Sequence, residues 1–541
     1  MTNKQKAILV IGAMVIIAVL LVTTTTTEVR APLATQKIIA GTTIQASLNA
    51  AKPGDVITVK AGVYNEALTL KVTGSQSAPI TLRCEIPLAC TINSGASRSL
   101  VTSGAISDYV IDGFRFISTV QNSQNDPMSA SVSFSYNYWG DGDKFEKGND
   151  RFTLRNCYVE GAVYFFGSDN LVENCELNGY GKVMNGLTER STPSENNIFR
   201  NNVIHDYAQR GGWTLSDVHN SLWQNNTFYN IGSSSVGGSG IDCDGAGHAN
   251  YGCNIIGNTF SNIQGETVIL MENGFDSTIA NNIMHDSTTG IGVINYNISN
   301  GSDPFVSDKD YKGLMTNTVI KNNLMYNLSS NGVLCKAVRG NQLLNNTIYN
   351  VKVSGGYWGA IGLAAYTYVP CPDWTIKNNI VSQSSKTWYY QGKAPETIDS
   401  NFYDLFNVAT YDDGSKTFAQ WQALGFDVHG KIGNPLFVNA AGGDFHLQAN
   451  SPACGAGAYA CEATGTPTAT QTQITPSATP TLKIATTTPM NTPTFTATMT
   501  PSRTATGTNT PTYTQTPSAT STPVPICVKV YPDKSTIIDC P

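Results

Sequence analysis

Charge is scarce in this chain. Asp, Glu, Lys and Arg together make up 13% of its 541 residues, and the formal net charge of -6 is shallow for that length. Outside the N-terminus no stretch is rich in Lys and Arg, which removes the electrostatic footprint of a nucleic-acid binder. No Cys-x-x-Cys occurs among the 12 cysteines, so the usual spacing of a zinc site is absent as well. Helical periodicity is missing from residue 156 to residue 401.

What fills that span is one phrase repeated about ten times: apolar residues, then Asn or Asn-Asn, then an apolar-x-Asn/Asp step. It reads Phe199-Arg200-Asn201-Asn202-Val203-Ile204-His205-Asp206, then Trp223-Gln224-Asn225-Asn226-Thr227-Phe228, and later Ile320-Lys321-Asn322-Asn323-Leu324-Met325. A unit of roughly two dozen residues without helical periodicity is a solenoid of stacked strands. Solenoid rungs do not divide into separate cores, so the repeat predicts one stack from about residue 40 to residue 460. The asparagines and the 49 glycines belong at tight turns, where positive φ is cheap for Gly and tolerable for Asn. They read as scaffold, with stacked amides bonding one another and the backbone.

Ala7 to Val22 is uninterrupted apolar sequence preceded by Lys4 and Lys6, the pattern of an export signal. With the uncharged Thr23–Thr27 run it is also long enough to span a bilayer as an anchor. The expected location is therefore secreted or cell-surface anchored, with membrane contact only through residues 1–34. The cysteines agree with export, since they fall into six neighbouring pairs: Cys84–Cys90, Cys157–Cys175, Cys243–Cys253, Cys335–Cys371, Cys454–Cys461 and Cys527–Cys540. Cys157 and Cys175 follow the same repeat Asn in successive rungs, which lie about 4.8 Å apart, within reach of a disulfide.

Four segments result: the N-terminal 1–34, a solenoid 35–462, a linker 463–525 and a hairpin 526–541. The linker is Thr, Pro, Ala and Ser with almost nothing apolar, so it is expected to be a disordered stalk. In the solenoid, Ile44, Leu48 and Ala51 share a helical face stopped by Pro53-Gly54-Asp55, which predicts a short helix capping the first rung. Val56–Val59 is the first strand. Asn434–Val438 and Gly443–Gln448 read as the last rungs.

The opening Ala50-Ala51-Lys52-Pro53-Gly54-Asp55-Val56-Ile57-Thr58-Val59, the Asn-Asn rungs and the ending Asp444-Phe445-His446-Leu447 with Ser451-Pro452-Ala453 resemble right-handed parallel β-helix proteins of the pectin-lyase-like superfamily. The resemblance covers about residues 38–460. It implies an all-β, right-handed parallel β-helix and a polysaccharide partner. It does not select an activity, because the superfamily includes lyases, hydrolases, epimerases and non-catalytic surface proteins.

Chemistry on such a cylinder needs side chains that align on the outside of successive rungs. Strand alternation predicts Thr214, Ser216, Asp242, Asp244, Ile269, Met271 and Lys336 as outward positions. Asp242 and Asp244, with Asp217 and Glu272 one rung to either side, form a carboxylate cluster; His219 and His248 lie just beyond two of these strands. Such a cluster can supply an acid/base pair, hydrogen-bond sugar hydroxyls or bind Ca²⁺ through oxygens. The expected catalytic set is Asp242, Asp244, His248 and Glu272, with Asp217, His219, Lys336, Tyr138 and Trp139 contacting substrate. Asp242, Asp244 and Glu266 are the candidate Ca²⁺ ligands, and no other cofactor is called for.

The lyases of the resembled superfamily that act on alginate or chondroitin carry a Glu-rich strand, then a Lys, then an Arg on the next rung. Glu266 fits the first. The Lys slot reads Met271/Glu272 and the Arg slot Ile294/Asn295, with Lys336 and Arg339 farther along as substitutes. The expected function is an exported protein that cleaves or binds an extracellular polysaccharide as a lyase or glycoside hydrolase. The alternative is a non-catalytic surface adhesin or glycan-binding spacer. The sequence leaves the oligomeric state open.

Overall fold

The computed structural model describes residues 36–38, 43–461, 526–530 and 535–539. Within the long span it omits 96–97, 119–129, 135–148, 180–181, 186–192, 216, 234–236, 246–249, 296–313, 354–358, 365–370, 392–395, 407–408 and 412–413. The N-terminal segment, Tyr138, Trp139, His248 and the Thr/Pro-rich linker therefore lie outside the described residues.

The chain winds into a right-handed parallel β-helix. Its three long faces each contain 14 strands among the described residues, and hydrogen-bonded neighbours belong to successive turns of the chain except where Ala409–Tyr411 pairs antiparallel with Gly414–Lys416. The first face runs from Gln36–Ile38 to Thr397–Asp399, the second from Leu68–Leu70 to Gly414–Lys416, and the third from Gly62–Tyr64 to Lys431–Ile432. The helix Ile44–Ala50 closes the first rung, with Thr43 as its N-cap and Ile44 and Leu48 buried, as the apolar spacing predicts. Inward side chains of successive rungs stack along the cylinder. Phe199 lies on Trp223 at 4.1 Å and Phe228 on Phe260 at 4.7 Å between ring centroids.

The Asn-Asn phrase separates into two physical roles at the turn from the first face to the third. The first Asn, as at Asn201, Asn225, Asn281, Asn322, Asn345 and Asn378, takes a left-handed φ between 53° and 57°. The second is buried and joins an amide ladder. Asn226 Oδ1 accepts from Asn202 N at 3.0 Å and Asn202 Nδ2 at 2.9 Å, while Asn226 Nδ2 donates to Asn258 Oδ1 at 2.9 Å and Phe199 O at 2.8 Å. The same pattern continues through Asn282, Asn323, Asn346, Asn379 and Asn401. Cys175 N begins the run by donating to Asn202 Oδ1, and Asp427 ends it by accepting from Asn401 N and Nδ2. A carboxylate has no proton to pass on, so the ladder stops there. The later Asn/Asp of each phrase forms an exposed ladder of its own, Asn230 to Asp206 at 3.0 Å and Asn262 to Asn230 at 2.7 Å.

Two readings of the sequence are corrected. Phe437–Asn439 and Asp444–Leu447 are not rungs but an antiparallel pair, whose Phe445 packs against Tyr326 and Tyr349 of the third face. Cys157 and Cys175 are free, buried thiols. Each sulfur lies against a backbone carbonyl oxygen of its own rung, those of Arg155 and Glu173, and the two thiols also hydrogen-bond each other without a covalent link. Disulfides do join Cys84–Cys90, Cys243–Cys253, Cys335–Cys371 and Cys454–Cys461. Taken by itself, the C-terminal unit holds among its described residues one hairpin, in which Ile526–Val530 pairs antiparallel with Ser535–Asp539. Cys540, and with it the Cys527–Cys540 pairing, lies outside the described residues.

Candidate functional site

The second face carries the unusual outer surface. On the strands Arg210–Thr214, Ser239–Asp244, Thr267–Glu272, Thr289–Ile294 and Val333–Lys336, the register aligns Trp213, Asp242, Leu270, Gly292 and Leu334 in one row. Two residues on, Asp244, Glu272, Ile294 and Lys336 form a second row. Ile241, Cys243, Ile269, Met271 and Val293 point into the core between them. The alternation predicted for Asp242, Asp244 and Lys336 is therefore present. It is off by one residue at Ile269 and Met271, which are core, and at Thr214, which is buried and accepts from Trp223 Nε1 at 3.1 Å. Val268-Ile269-Leu270-Met271 is apolar throughout, so its sequence gives no sign of which residues face inward.

Entry into the Asp242 strand depends on a glycine. At Gly238 φ is 122°, and a Cβ there would lie 1.7 Å from Gln209 O. Only glycine accepts both the left-handed backbone and the close approach of the neighbouring rung.

Asp242 is completely buried, and its Oδ2 accepts from Arg210 Nε at 2.6 Å. Its Oδ1 is buried without a hydrogen-bond partner. Trp213 donates from Nε1 to Asp244 Oδ2 at 3.1 Å. Two cations lie against that indole, Lys182 Nζ at 3.8 Å and Arg210 Cζ at 4.9 Å from the ring centroid. Lys182 is itself buried. Apolar side chains bound the cluster on both sides: Ala162, Tyr164, Phe166 and Leu215 toward the N-terminus, and Leu270, Ile294, Leu334, Ala364 and Tyr389 toward the C-terminus.

This setting shifts the ionisations. Burial, with the charges of Asp244 and Asp242, pushes the Glu272 carboxyl up to about 8. Burial also pushes Asp242 up to about 7 against the pull of Arg210. Burial and the neighbouring Arg210 draw the Lys182 ammonium down to about 7. Lys336, two rungs beyond Glu272 on the same row, is lowered by burial. Asp242 and Lys182 are closed to solvent, whereas Asp244, Glu272, Arg210 and Trp213 are partly exposed.

The other expected site residues fall elsewhere. Asp217 and His219 sit beyond the second face, where His219 begins a contact with Tyr251 on a small four-stranded sheet; His219 Nε2 is 3.4 Å from Asp217 Oδ1. Arg339 lies on a separate two-stranded sheet, 3.7 Å from Asp373. Among the described residues no three His, Cys, Asp or Glu side chains are grouped to hold a metal ion. Asp242, Asp244 and Glu266 thus do not form a cation cage, and one oxygen of Asp242 is committed to Arg210. Sequence reading missed Lys182, Arg210 and Trp213. The charge and aromatic in Arg210-Gly211-Gly212-Trp213 were a visible signal, whereas Lys182 carried none.

A protein-family model described as a right handed beta helix region matches residues 145–300, the part of the chain that holds this cluster. A search of curated proteins finds no match. Among solved structures, the chain is similar to the PL6 family alginate lyase AlyGC, with 15% identity and a TM-score of 0.52 over 74% of this chain and 54% of that one. A mutant of that enzyme matches at 15% identity and a TM-score of 0.54, over 79% and 57% of the two chains. A mannuronic acid specific family 6 lyase from human gut microbiota matches at 12% identity and a TM-score of 0.46, over 76% and 93%. The chain thus spans little more than half the length of AlyGC. At these identities the shared property is the fold, and on that ground the chain is a right-handed parallel β-helix protein.

Proposed function

We propose that this chain is an exported carbohydrate-active β-helix protein that cleaves an extracellular polysaccharide by acid/base chemistry, with Glu272 and Asp244 as the reacting pair. One observation carries the reading: two partly exposed carboxyl groups occupy in-register positions on adjacent strands, and one of them is held protonated through neutral pH. A protonated carboxyl beside a second carboxyl group is the arrangement glycoside hydrolysis uses. Glu272 gives its proton to the departing glycosidic oxygen, and Asp244, fixed by the Trp213 N–H, receives the anomeric carbon.

Elimination is served less well. Its base would be Lys182 or Lys336: the first is neutral above pH 7 but buried against Trp213, and the second is lowered by burial but stands two rungs beyond Glu272. The Lys slot of the lyase scheme holds inward Met271 and acidic Glu272.

The test is a panel of polysaccharides incubated with the protein, with reducing ends and unsaturated-uronate absorbance read separately. New reducing ends without the absorbance, lost in both Glu272→Gln and Asp244→Asn, are the expected result. Unsaturated products would assign elimination instead, and retained turnover in both variants would remove this pair from the chemistry.

A further inference from the structure

Lys182 is 1% exposed, a costly place for an ammonium unless an anion pairs with it. Among the described residues it makes no ion pair, and Asp242 Oδ2 is taken by Arg210 at 2.6 Å. What the ammonium meets instead is the indole of Trp213, with Nζ 3.8 Å from the ring centroid. That indole is committed in turn, because its Nε1 donates to Asp244 Oδ2 at 3.1 Å. Three successive turns of the chain supply this series. Lys182 precedes the strand Val183–Asn185, whose Met184 is in register with Trp213. Trp213 is in register with Asp242, two residues before Asp244, and Asp244 is in register with Glu272. The series therefore ends on the acid pair.

We infer that Lys182 is a positioning residue for Asp244 that acts through Trp213, its ammonium on the indole face strengthening the N–H bond that holds the Asp244 carboxylate beside Glu272. The inference rests on the reading of Glu272 and Asp244 as the reacting pair. A cation over an indole draws π density toward itself and leaves the N–H hydrogen more positive, which makes it a better donor to a carboxylate. With little water in the site, neither interaction is screened as it would be in solution. A lysine placed only to balance the acids would act through space and would need no ring between. Among the charged neighbours, Arg210 repels the ammonium while Asp242 and Asp244 attract it. Burial and Arg210 prevail, so Lys182 keeps its proton up to about pH 7. The series is then intact where Glu272, raised to about 8, also keeps its proton.

The test reads the Trp213 indole N–H proton by NMR in the intact protein carrying isotopically labelled tryptophan, the resonance being identified by its loss in Trp213→Phe. Lys182→Met and Asp244→Asn should each move that proton upfield, and an unmoved proton in either variant overturns the inference. Lys182→Gln takes the place of Lys182→Met if the latter does not fold. In the parent the proton should move upfield as pH rises through about 7, and the step should vanish when Lys182 is replaced. A step that survives the replacement belongs to Asp242, which ionises in the same range, and overturns the role of Lys182. On a polymer that is cleaved, Lys182→Met is expected to lower kcat about tenfold with KM little changed. In the Trp213→Phe background, where a ring remains without its N–H, the same substitution should add nothing. An equal further loss there would show a direct charge effect and overturn the route through Trp213. If no polymer is cleaved, the acid-pair reading falls, and the indole proton alone decides whether Lys182 holds Asp244.

Discussion

Two groups of buried polar side chains in this molecule have opposite characters. The amide ladder from Asn202 to Asn401 is neutral, periodic and satisfied: from Asn226 onward each Oδ1 takes two N–H groups from the rung before, and each Nδ2 short of Asn401 serves a neighbouring amide and a backbone carbonyl. The cluster on the outer second face is charged, occurs once, and holds a buried oxygen of Asp242 without a partner. A satisfied network rigidifies a fold, whereas a strained one is retained at a cost in stability. The difference locates scaffold at the Asn-Asn turns and chemistry at Asp242 to Glu272.

The largest effect should come from the single-copy cluster. Glu272→Gln keeps the shape and removes the transferable proton, so turnover should fall by about a hundredfold or more, with no loss of stability. Equal loss of stability and activity would mean the residue is structural.

Within the ladder, Asn258→Ala takes an acceptor from Asn226 N and Nδ2 and a donor from Asn282 Oδ1. Stranding these buried groups should cost about 2–4 kcal/mol, measured by urea denaturation. A cost near zero would show that water replaces the amide and that the ladder is decorative.

The third comparison is with pH. Glu272 and Asp242 have folded values raised to about 8 and about 7. Between about pH 4 and those values the native state binds more protons than the unfolded chain, so their contribution to stability falls as pH rises. Lys182 is lowered to about 7. From there to about pH 10 the unfolded chain binds more protons, and the Lys182 contribution rises with pH. The cluster should therefore be least favourable near pH 7 to 8, and Glu272→Gln should flatten the acid side of that dip in denaturation midpoints taken across pH. The neutral amide ladder should add no slope, so an Asn258→Ala profile parallel to that of the parent would sharpen the contrast.

The smallest effect belongs to the exposed ion pairs of the first face. Arg200 pairs with Glu173 at 2.7 Å but is 42% exposed, and Arg200→Ala should cost no more than about 1 kcal/mol. A larger loss would make that face a third region of consequence.

Most of the fold was legible because its signal is repeated: each Asn-Asn turn names a rung, and the helix at Ile44–Ala50 has apolar spacing and a Thr cap. Asp242, Asp244 and Glu272 were visible as acids following rungs. Their environment was not, because Arg210, Trp213 and Lys182 come from earlier turns of the chain and meet the acids only across strands.

The sequence by itself determined the solenoid, four of the disulfide pairings and the role of the asparagines, since these follow from local periodicity and from pairs close along the chain. Only the tertiary structure decided which side of the all-apolar Val268–Met271 run faces out, that Cys157 and Cys175 stand as free thiols, that Phe437–Asn439 and Asp444–Leu447 pair antiparallel, and which acid is pushed furthest up. Those outcomes depend on register and burial, which arise from contacts between rungs and are written in no single segment of the chain.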